Sequence, residues 1–277
     1  MIKTNMVTIN GILNLEKPYG MTSMETLRRL KRASSQKKVG HTGTLDPIAT
    51  GVLPICFGEA TKVSKYLIES SKTYRVKAKL GIKTTTGDSE GSVLEKKATK
   101  NIETETIEEV LKLFIGNTEQ KPPMFSAIKV NGIRLYKHAR KGLTIPRKNR
   151  QITVHNICLK NYKKDLLELI IHCGKGTYIR TLIEDIGTQL NTHAHVIELR
   201  RISIDLLDDQ KIITLKELEN TKNIQRLRRY LLPLDTALKS MRKIFISKEY
   251  YLNFSQGQKI ILPPKDAYKD QNIRVYN

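Results

Sequence analysis

The chain has 277 residues and carries 49 Lys and Arg against 27 Asp and Glu, a formal net charge of +22 at pH 7. This length allows one large domain with a smaller one, and the excess of positive charge favours a polyanionic partner such as a nucleic acid. The chain is also rich in Lys, Ile and Asn, so part of the charge can be compositional drift on solvated surfaces. No stretch approaches the roughly 20 apolar residues of a membrane span.

The cysteines and the first residues indicate a cytoplasmic protein. Cys56, Cys158 and Cys173 are widely spaced and form no CxxC pair, which argues against a disulfide framework or a zinc site. Cys56 and Cys158 lie among apolar residues, so we expect both to be buried. Residues 1–10 are too few and too polar for a secretory signal. We expect a cytoplasmic protein that uses neither a membrane nor a metal.

The first third of the chain predicts a strand, a helix, a glycine-rich loop and a second helix. The strand covers residues 11–15. Thr22 and Glu25 have capping-box spacing, and the next apolar residues recur at helical spacing with basic residues between them, at Met24, Leu27 and Leu30. This pattern predicts an amphipathic helix with a basic outer face. The loop covers residues 40–53, and the second helix lies near residues 60–68.

The middle of the chain predicts a half-buried strand and a basic hairpin. Apolar and basic residues alternate strictly over 74–82, which is typical of a strand with one buried face. An amphipathic helix ends at Gly116, and Asn131-Gly132 is a strong hairpin turn. The segment 121–150 is basic with few acids. Basic runs are usually solvated loops, but the aromatic residues between these cations favour an RNA-gripping arm.

The last part of the chain predicts further strands and helices. Helices begin near Thr177 and at a capping box formed by Thr214 and Glu217. Strands are expected at 152–159, 166–173 and 195–204. Separated strands and helices favour an α+β fold with a mixed, mostly antiparallel central sheet flanked by helices. Residues 243–277 contain short strand-like pieces at 244–247 and 259–262. They are too few for a core of their own, so they must dock on the main body or remain partly disordered.

The loop at 40–53 reads GHTGTLDPIATGVL. Its glycines reach backbone conformations that other residues avoid, and Pro47 pushes Asp46 out of helical conformation. A lone carboxylate on such a loop suits a nucleophile or a proton acceptor. The same residues are typical of a surface turn with an Asx-type bond. The residue types alone leave both interpretations open.

The order of residues in this loop resembles the catalytic loop of the TruB-type tRNA pseudouridine synthases. The family pattern GHTGTLDPxATGVL is matched throughout, with Ile48 at the variable place. Further family motifs lie before and after this loop, in the same order as in the family, and together span most of residues 11–240. They are EKPYGMTS at 16–23, GEATK at 58–62, KTY at 72–74, GDSEG at 87–91, PPMFSAIK at 122–129, GKGTYIRT at 174–181 and LRR at 199–201.

The resemblance implies that Asp46 is the catalytic nucleophile. Arg180 would keep this carboxylate ionised and aimed, because a guanidinium fork holds a carboxylate in fixed geometry. Tyr74 would stack on the flipped base, and its hydroxyl could exchange a proton with it. Without the motifs, Arg180 could be one more surface or phosphate-binding arginine, and Tyr74 would by default be a core aromatic residue.

The resemblance also implies a substrate-binding set around these residues. His41, Tyr74, Tyr178 and Leu199 would contact the flipped nucleotide or line the uracil pocket. Lys17 and Lys175 would support a phosphate or the loop. Taken alone, Leu199 is typical of plain core, and a single histidine is more often structural than catalytic.

The function implied by the resemblance is isomerisation of uridine 55 in the T loop of tRNAs to pseudouridine. The base flips out, as it does for other base-modifying enzymes, and an Asp-dependent step breaks and rejoins the glycosidic bond. No redox cofactor is needed, since isomerisation releases no electron. The expected partner is the T arm of tRNA, with no guide RNA, and the expected state is a monomer.

The implied organisation is a pseudouridine synthase catalytic domain at 1–242, with the RNA-gripping arm at 122–150. A shortened or degenerate PUA-like RNA-binding tail would occupy 243–277. One alternative is a non-catalytic tRNA-binding or folding protein with the same pocket. Another is a guide-dependent synthase of the archaeal and eukaryotic type, but the arm and the short tail favour the stand-alone bacterial type.

Overall fold

A computed structural model describes residues 8–99, 102–207, 211–221, 227–260 and 272–277. The strands are β1 (Gly11–Lys17), β2 (Val39–His41), β3 (Ala49–Phe57), β4 (Lys72–Leu80), β5 (Ile82–Thr84), β6 (Val93–Lys96), β7 (Gly116–Gln120), β8 (Lys129–Val130), β9 (Ile133–Arg134), β10 (Arg150–Lys163), β11 (Leu166–Cys173), β12 (Ala194–Ile204), β13 (Ile212–Thr214), β14 (Lys243–Phe245) and β15 (Arg274–Tyr276). The α-helices are α1 (Ser23–Ser34), α2 (Ser64–Glu69), α3 (Thr104–Lys112), α4 (Leu135–Ala139), α5 (Ile179–Gln189), α6 (Leu215–Thr221) and α7 (Lys248–Ser255). Short 3₁₀ helices cover Gly58–Val63, Asp205–Leu207 and Leu234–Leu238.

A mixed sheet of nine strands forms the centre of the fold. Its order is β13-β1-β3-β12-β4-β11-β10-β7, and β2 pairs with β3. The pairs β1–β13 and β3–β12 are parallel, and the other pairs are antiparallel. Helix α5 packs on β12 and α3 packs on β10. The predicted α+β fold with a mixed, mostly antiparallel sheet is therefore confirmed.

Local sequence patterns explain where several elements begin. The Thr22 hydroxyl caps α1 by accepting a hydrogen bond from the Glu25 N–H at 3.1 Å. At α6 the capping box is reciprocal, because Thr214 Oγ1 accepts from the Glu217 N–H while the Glu217 carboxylate accepts from the Thr214 N–H. The predicted starts of both helices are confirmed.

The alternation along β4 places its apolar side chains in the core. Val76 and Ala78 are fully buried, whereas Arg75 is exposed. Cys56 is buried as expected, but Cys158, which we expected to be buried, is only half-buried. Its strand β10 lies next to the sheet edge and pairs with β11 through two register shifts, so it is incompletely covered.

The glycine-rich segment 40–53 is only partly a loop. His41 ends β2, and Ala49 begins β3, which is buried along almost all of its length. A strand buried on both faces lacks polar–apolar alternation, so it does not stand out in the sequence. Gly51 has φ +99°, and a Cβ there would lie 2.1 Å from the Arg201 carbonyl oxygen. The glycine therefore lets β12 approach β3.

Two other element boundaries differ from the sequence expectation. The helix predicted near 60–68 begins as a 3₁₀ helix and becomes α2 only at Ser64. The strand predicted over 74–82 breaks at Gly81, whose φ of +85° lies in the left-handed region, and the chain continues as β5. Strand β5 pairs with β6 in a separate hairpin.

The described part of the C-terminal segment docks on the main body. Strands β14 and β15 pair in parallel. The Tyr276 hydroxyl donates a hydrogen bond to Asp235 in the last 3₁₀ helix, and Arg274 Nε donates to the Met241 carbonyl at 3.1 Å. Helix α7 was not predicted; its start is set by Ser247, which caps it. Residues 259–260 form no strand, and the rest of the strand-like piece at 259–262 lies outside the described residues.

Candidate active site

Asp46 and Arg180 form a two-point hydrogen bond in a cleft between the β2–β3 loop and the first turn of α5. Arg180 Nε lies 2.9 Å from Asp46 Oδ2, and Arg180 Nη2 lies 3.0 Å from Oδ1. The Arg180 side chain is 4% exposed, whereas that of Asp46 is 34% exposed. The carboxylate is therefore held from the protein side and remains open on the other.

The Arg180 guanidinium is fixed from several segments at once. Its Nη1 donates to the Thr86 carbonyl at 2.7 Å, and its Nη2 donates to the Phe125 carbonyl at 2.9 Å. The buried Asp88 carboxylate lies 3.6 Å from Arg180 Nε. Sequence reasoning noted the turn that contains Asp88 but gave this residue no role.

Burial raises the pKa of the Asp46 carboxyl above its ordinary value, and the Arg180 guanidinium opposes this rise. Lys17 stabilises the loop that carries Asp46. Its ammonium group donates to the Pro18, Met21 and Pro47 carbonyls. Burial lowers the pKa of Lys17 to about 8, and the negative charge of Asp46 opposes this shift. The positive charges of Arg180 and Lys17 both favour the ionised form of Asp46.

Tyr74 and Leu199 belong to the sheet face beside this pair. Leu199 of β12 lies opposite Val76 of β4, and Tyr74 of β4 lies opposite Arg201 of β12. Leu199 is buried, and Tyr74 is half-buried. Burial raises the pKa of the Tyr74 hydroxyl, and the Arg201 guanidinium beside it opposes the rise. The Tyr74 phenol is consequently neutral at pH 7.

Tyr178 precedes α5, and the Gln120 side chain fixes its backbone. Gln120 Oε1 accepts from the Tyr178 N–H at 2.8 Å, and Gln120 Nε2 donates to the Tyr178 carbonyl at 3.1 Å. Gln120 is buried at the end of β7. This pair of hydrogen bonds sets the start of α5 and therefore the position of Arg180 two residues later.

His41 contributes a polar atom without a protein partner. Its Nδ1 is buried and has no hydrogen-bond partner among the residues that the structure describes. Burial lowers the pKa of His41, and the positive charge of Arg201 adds to this shift. The imidazole is therefore neutral at pH 7 and can accept or donate a hydrogen bond.

Lys175 has a different environment from the other predicted site residues. Its ammonium group pairs with Glu69, and both side chains are more than half exposed. The structure thus brings Lys17 to the Asp46 loop and leaves Lys175 in a surface ion pair. Within the described ranges, no group of three or more His, Cys, Asp or Glu side chains could hold a metal ion.

A cavity of about 350 Å³ opens on the other face of the sheet. Arg75 and Lys77 of β4 line it from the face opposite Tyr74, and Leu199 of β12 also contributes to its lining. Each of these two cations is paired with a glutamate, Glu168 or Glu198. The Asp46–Arg180 cleft, not this cavity, holds the chemistry-bearing side chains.

Family models match most of the chain. The model described as TruB family pseudouridylate synthase (N terminal domain) matches residues 31–179, and the model described as tRNA pseudouridylate synthase B C-terminal domain matches residues 180–239. With its mixed central sheet flanked by helices, the chain has the fold of a pseudouridine synthase. It belongs to the TruB family.

Curated relatives agree with this assignment. A tRNA pseudouridine synthase B of Coxiella burnetii is 43% identical over 272 residues, which cover 97% of this chain and 88% of the relative. Another, from Pectobacterium atrosepticum, is 49% identical over 210 residues, which cover 76% of this chain and 67% of the relative.

Solved structures share the fold. A Cbf5-Nop10-Gar1 complex contains a chain that matches with a TM-score of 0.70 and 27% identity, covering 90% of this chain and 68% of that chain. An H/ACA RNP bound to a substrate RNA matches with a TM-score of 0.68 and 25% identity. No helix in the described parts of the chain is long and apolar enough to cross a membrane.

Proposed function

We propose that this chain isomerises uridine 55 in the T loop of tRNAs to pseudouridine, with Asp46 as the nucleophile. The observation that carries the proposal is the half-open Asp46 carboxylate held at two points by the buried Arg180 guanidinium. Relatives more than 40% identical are named tRNA pseudouridine synthase B. The resemblance of the motifs around both residues to those of the family supports uridine 55 as the target.

The reaction breaks the N1–C1′ bond, rotates the uracil, forms the C5–C1′ bond, releases the C5 proton to solvent and places a proton on N1. The product is an isomer, so no external oxidant or reductant takes part. Arg180 stabilises the charged form of Asp46, and the ionised carboxylate supplies the electron pair that starts the exchange and recovers it once the C5–C1′ bond has formed. Tyr74 stacks on the flipped base and exchanges the proton. Its position beside the cleft supports this role.

The remaining site residues hold the substrate in this proposal. His41 offers its free ring nitrogen to the flipped nucleotide, while Tyr178 and Leu199 line the uracil pocket. Lys17 supports the catalytic loop. Lys175 lies in a surface ion pair with Glu69, so its contribution is limited to the edge of the RNA footprint.

The arm at 122–150 is the proposed grip on the T arm. It contains the β8–β9 hairpin, whose turn is Asn131-Gly132 with positive φ at both residues, and the helix α4. Arg140 lies over the Tyr136 ring at 5.5 Å. Cations with interleaved aromatic side chains suit a backbone-tracking and base-stacking surface.

We further propose a monomeric, cytoplasmic enzyme that works without a guide RNA. Residues 1–242 would form the catalytic domain, and 243–277 a PUA-like tail. The arm and the relatives named tRNA pseudouridine synthase B support independence from a guide. Activity of the purified chain on an unmodified T-arm stem-loop, with no other RNA present, tests this directly.

The experiment for the reaction is tritium release from a T-arm stem-loop that carries C5-tritiated uridine. We expect release by the wild type and none by Asp46→Asn, with similar RNA affinity for both. A second stem-loop with cytidine at position 55 locates the target, and Asp205→Asn is the matched control at an exposed carboxylate. Tight binding without release by the wild type would overturn the proposal in favour of a non-catalytic tRNA-binding or folding protein.

A further inference from the structure

The buried guanidinium of Arg201 contacts the backbone on both sides of the loop that carries Asp46. It lies on β12, is 1% exposed and is the largest fully buried side chain of the described residues. Its Nε donates to the Val52 carbonyl at 2.6 Å, and its Nη2 contacts the Gly43 carbonyl at 3.4 Å. These two carbonyls flank the segment that carries Asp46, so one side chain ties together the two sides of the loop.

The register of the sheet brings the same side chain to Tyr74. Arg201 lies directly opposite Tyr74 on β4 and opposite Gly51 on β3, and residues at such positions share a face of the sheet. Gly51 lets the Arg201 backbone approach β3, since a Cβ at Gly51 would lie 2.1 Å from the Arg201 carbonyl oxygen. The Arg201 charge therefore lies beside the Tyr74 hydroxyl as well as under the loop.

This cation has a high energetic cost. Removing a guanidinium from water is unfavourable unless the charge is paired. No carboxylate of the described residues lies within 4.0 Å of Arg201; the contacts above are to backbone carbonyls. An apolar side chain of similar length would fill the same space at lower cost. The charge and the fork of donors are thus better explained by a role in the site than by stability.

We propose that Arg201 is a positioning residue for the reaction: it fixes the Asp46 loop through the Gly43 and Val52 carbonyls and holds the Tyr74 hydroxyl beside that loop. This inference rests on the proposed function, since it concerns the same reacting groups. Arg201 itself does not touch the substrate. Its effect is expected in the chemical step and not in RNA affinity.

The test compares Arg201→Met and Arg201→Lys with the wild type. Single-turnover tritium release at saturating T-arm RNA gives the rate, filter binding gives the RNA Kd, and thermal unfolding checks the fold. We expect Arg201→Met to lower the rate about 100-fold, the scale of a misplaced reacting group, with Kd within about twofold. Arg201→Lys restores part of the rate, because one ammonium group keeps the charge but not the fork.

Arg200→Met is the matched control. Arg200 is the next residue on β12, points to the opposite face and pairs with Glu16 at the surface. We expect Arg200→Met to keep the wild-type rate of tritium release at saturating RNA. A folded Arg201→Met with the wild-type rate, or one whose whole loss lies in Kd, overturns the inference.

Two further outcomes are distinguishable. If Arg201→Met does not fold, Arg201→Lys decides: a rate at least several-fold lower with unchanged Kd supports the positioning role, and the wild-type rate overturns it. If the wild type itself releases no tritium, the proposed function fails, whatever the variants show.

Discussion

Asp46 and Arg180 are 134 residues apart in sequence, and the side chain of one meets that of the other in two hydrogen bonds of 2.9 and 3.0 Å. The pair forms because β3, which follows the Asp46 loop, is parallel to β12, and α5 packs on β12. The same guanidinium also reaches the carbonyls of Thr86 and Phe125. Four oxygen atoms thus define its position.

Arg180→Lys should inactivate the enzyme while leaving RNA binding nearly intact. A lysine ammonium is a point charge and cannot make the two-point bond, and it leaves at least one buried carbonyl without its donor. We expect the single-turnover rate of tritium release to fall at least about 100-fold. The exposed Arg75, paired with Glu168, provides the control Arg75→Lys, which should keep the wild-type rate. Equal rates for the two variants would contradict the prediction.

Gln120→Ala should destabilise the start of α5. The Gln120 amide satisfies both the N–H and the carbonyl of Tyr178, and alanine leaves these two partly buried backbone groups without partners. We expect the free energy of unfolding in urea to fall by about 1–3 kcal/mol. Gln151→Ala is the control, because Gln151 bonds the exposed Glu119 on the neighbouring strand. If Gln120→Ala lowers the free energy of unfolding no more than Gln151→Ala does, the two hydrogen bonds to Tyr178 do not stabilise the start of α5.

Glu184→Gln should stabilise the protein at pH 8 and have little effect near pH 4. Burial raises the pKa of Glu184 to about 7, and Asp185 adds to the rise. Glu184 therefore stays protonated to a higher pH in the folded state than in the unfolded state. The free energy of unfolding consequently falls as pH rises from about 4.5 to 7. Glu184→Gln does not lose this stability, which in the wild type falls by about 1.4 kcal/mol for each pH unit between these two values.

Urea unfolding of the wild type and Glu184→Gln across this pH range measures the difference. Glu198→Gln, at a 65% exposed carboxylate, is the matched control variant. A constant difference between wild type and Glu184→Gln from pH 4 to pH 8 would mean that Glu184 titrates normally in the folded state.

Gly51→Ala should cost far more stability than Gly132→Ala, although both glycines have positive φ. Gly132 has nothing within 4 Å of an added Cβ, so alanine there meets backbone strain alone, about 1–2 kcal/mol. At Gly51 the added Cβ would lie 2.1 Å from the Arg201 carbonyl, so β3 and β12 must separate. We expect about 1–3 kcal/mol beyond the strain. Urea unfolding of both variants is the measurement, and similar losses would contradict the close contact.

Sequence patterns predict the elements whose causes are local. The alternation in β4 and the capping pairs of Thr22 and Thr214 lie within a few residues, and the structure confirms all three. The motifs also drew attention to Asp46 and Arg180, which the fold brings together.

The features that sequence reasoning missed depend on distant partners. Gln120 meets Tyr178 across 58 residues, and Arg201 meets Val52 across 149 residues. A buried glutamine or arginine looks in the sequence like any surface polar residue. Only the fold gives these side chains their partners: β12 pairs with β3 beside Arg201, and Gln120 at the end of β7 lies next to the start of α5.

The two ends of the proposed RNA-gripping arm are neighbours in the sheet. Gln120, the last residue of β7, pairs with Arg150, the first residue of β10. Because the arm lies between two paired residues of neighbouring strands, it can be regarded as an insertion between β7 and β10. Its length can change at little entropic cost, since closure depends only weakly on loop length. Beyond Phe125, whose carbonyl holds Arg180, the arm is therefore a site where natural variation or engineering can exchange one recognition element for another while the strands beside the Asp46–Arg180 cleft keep their places.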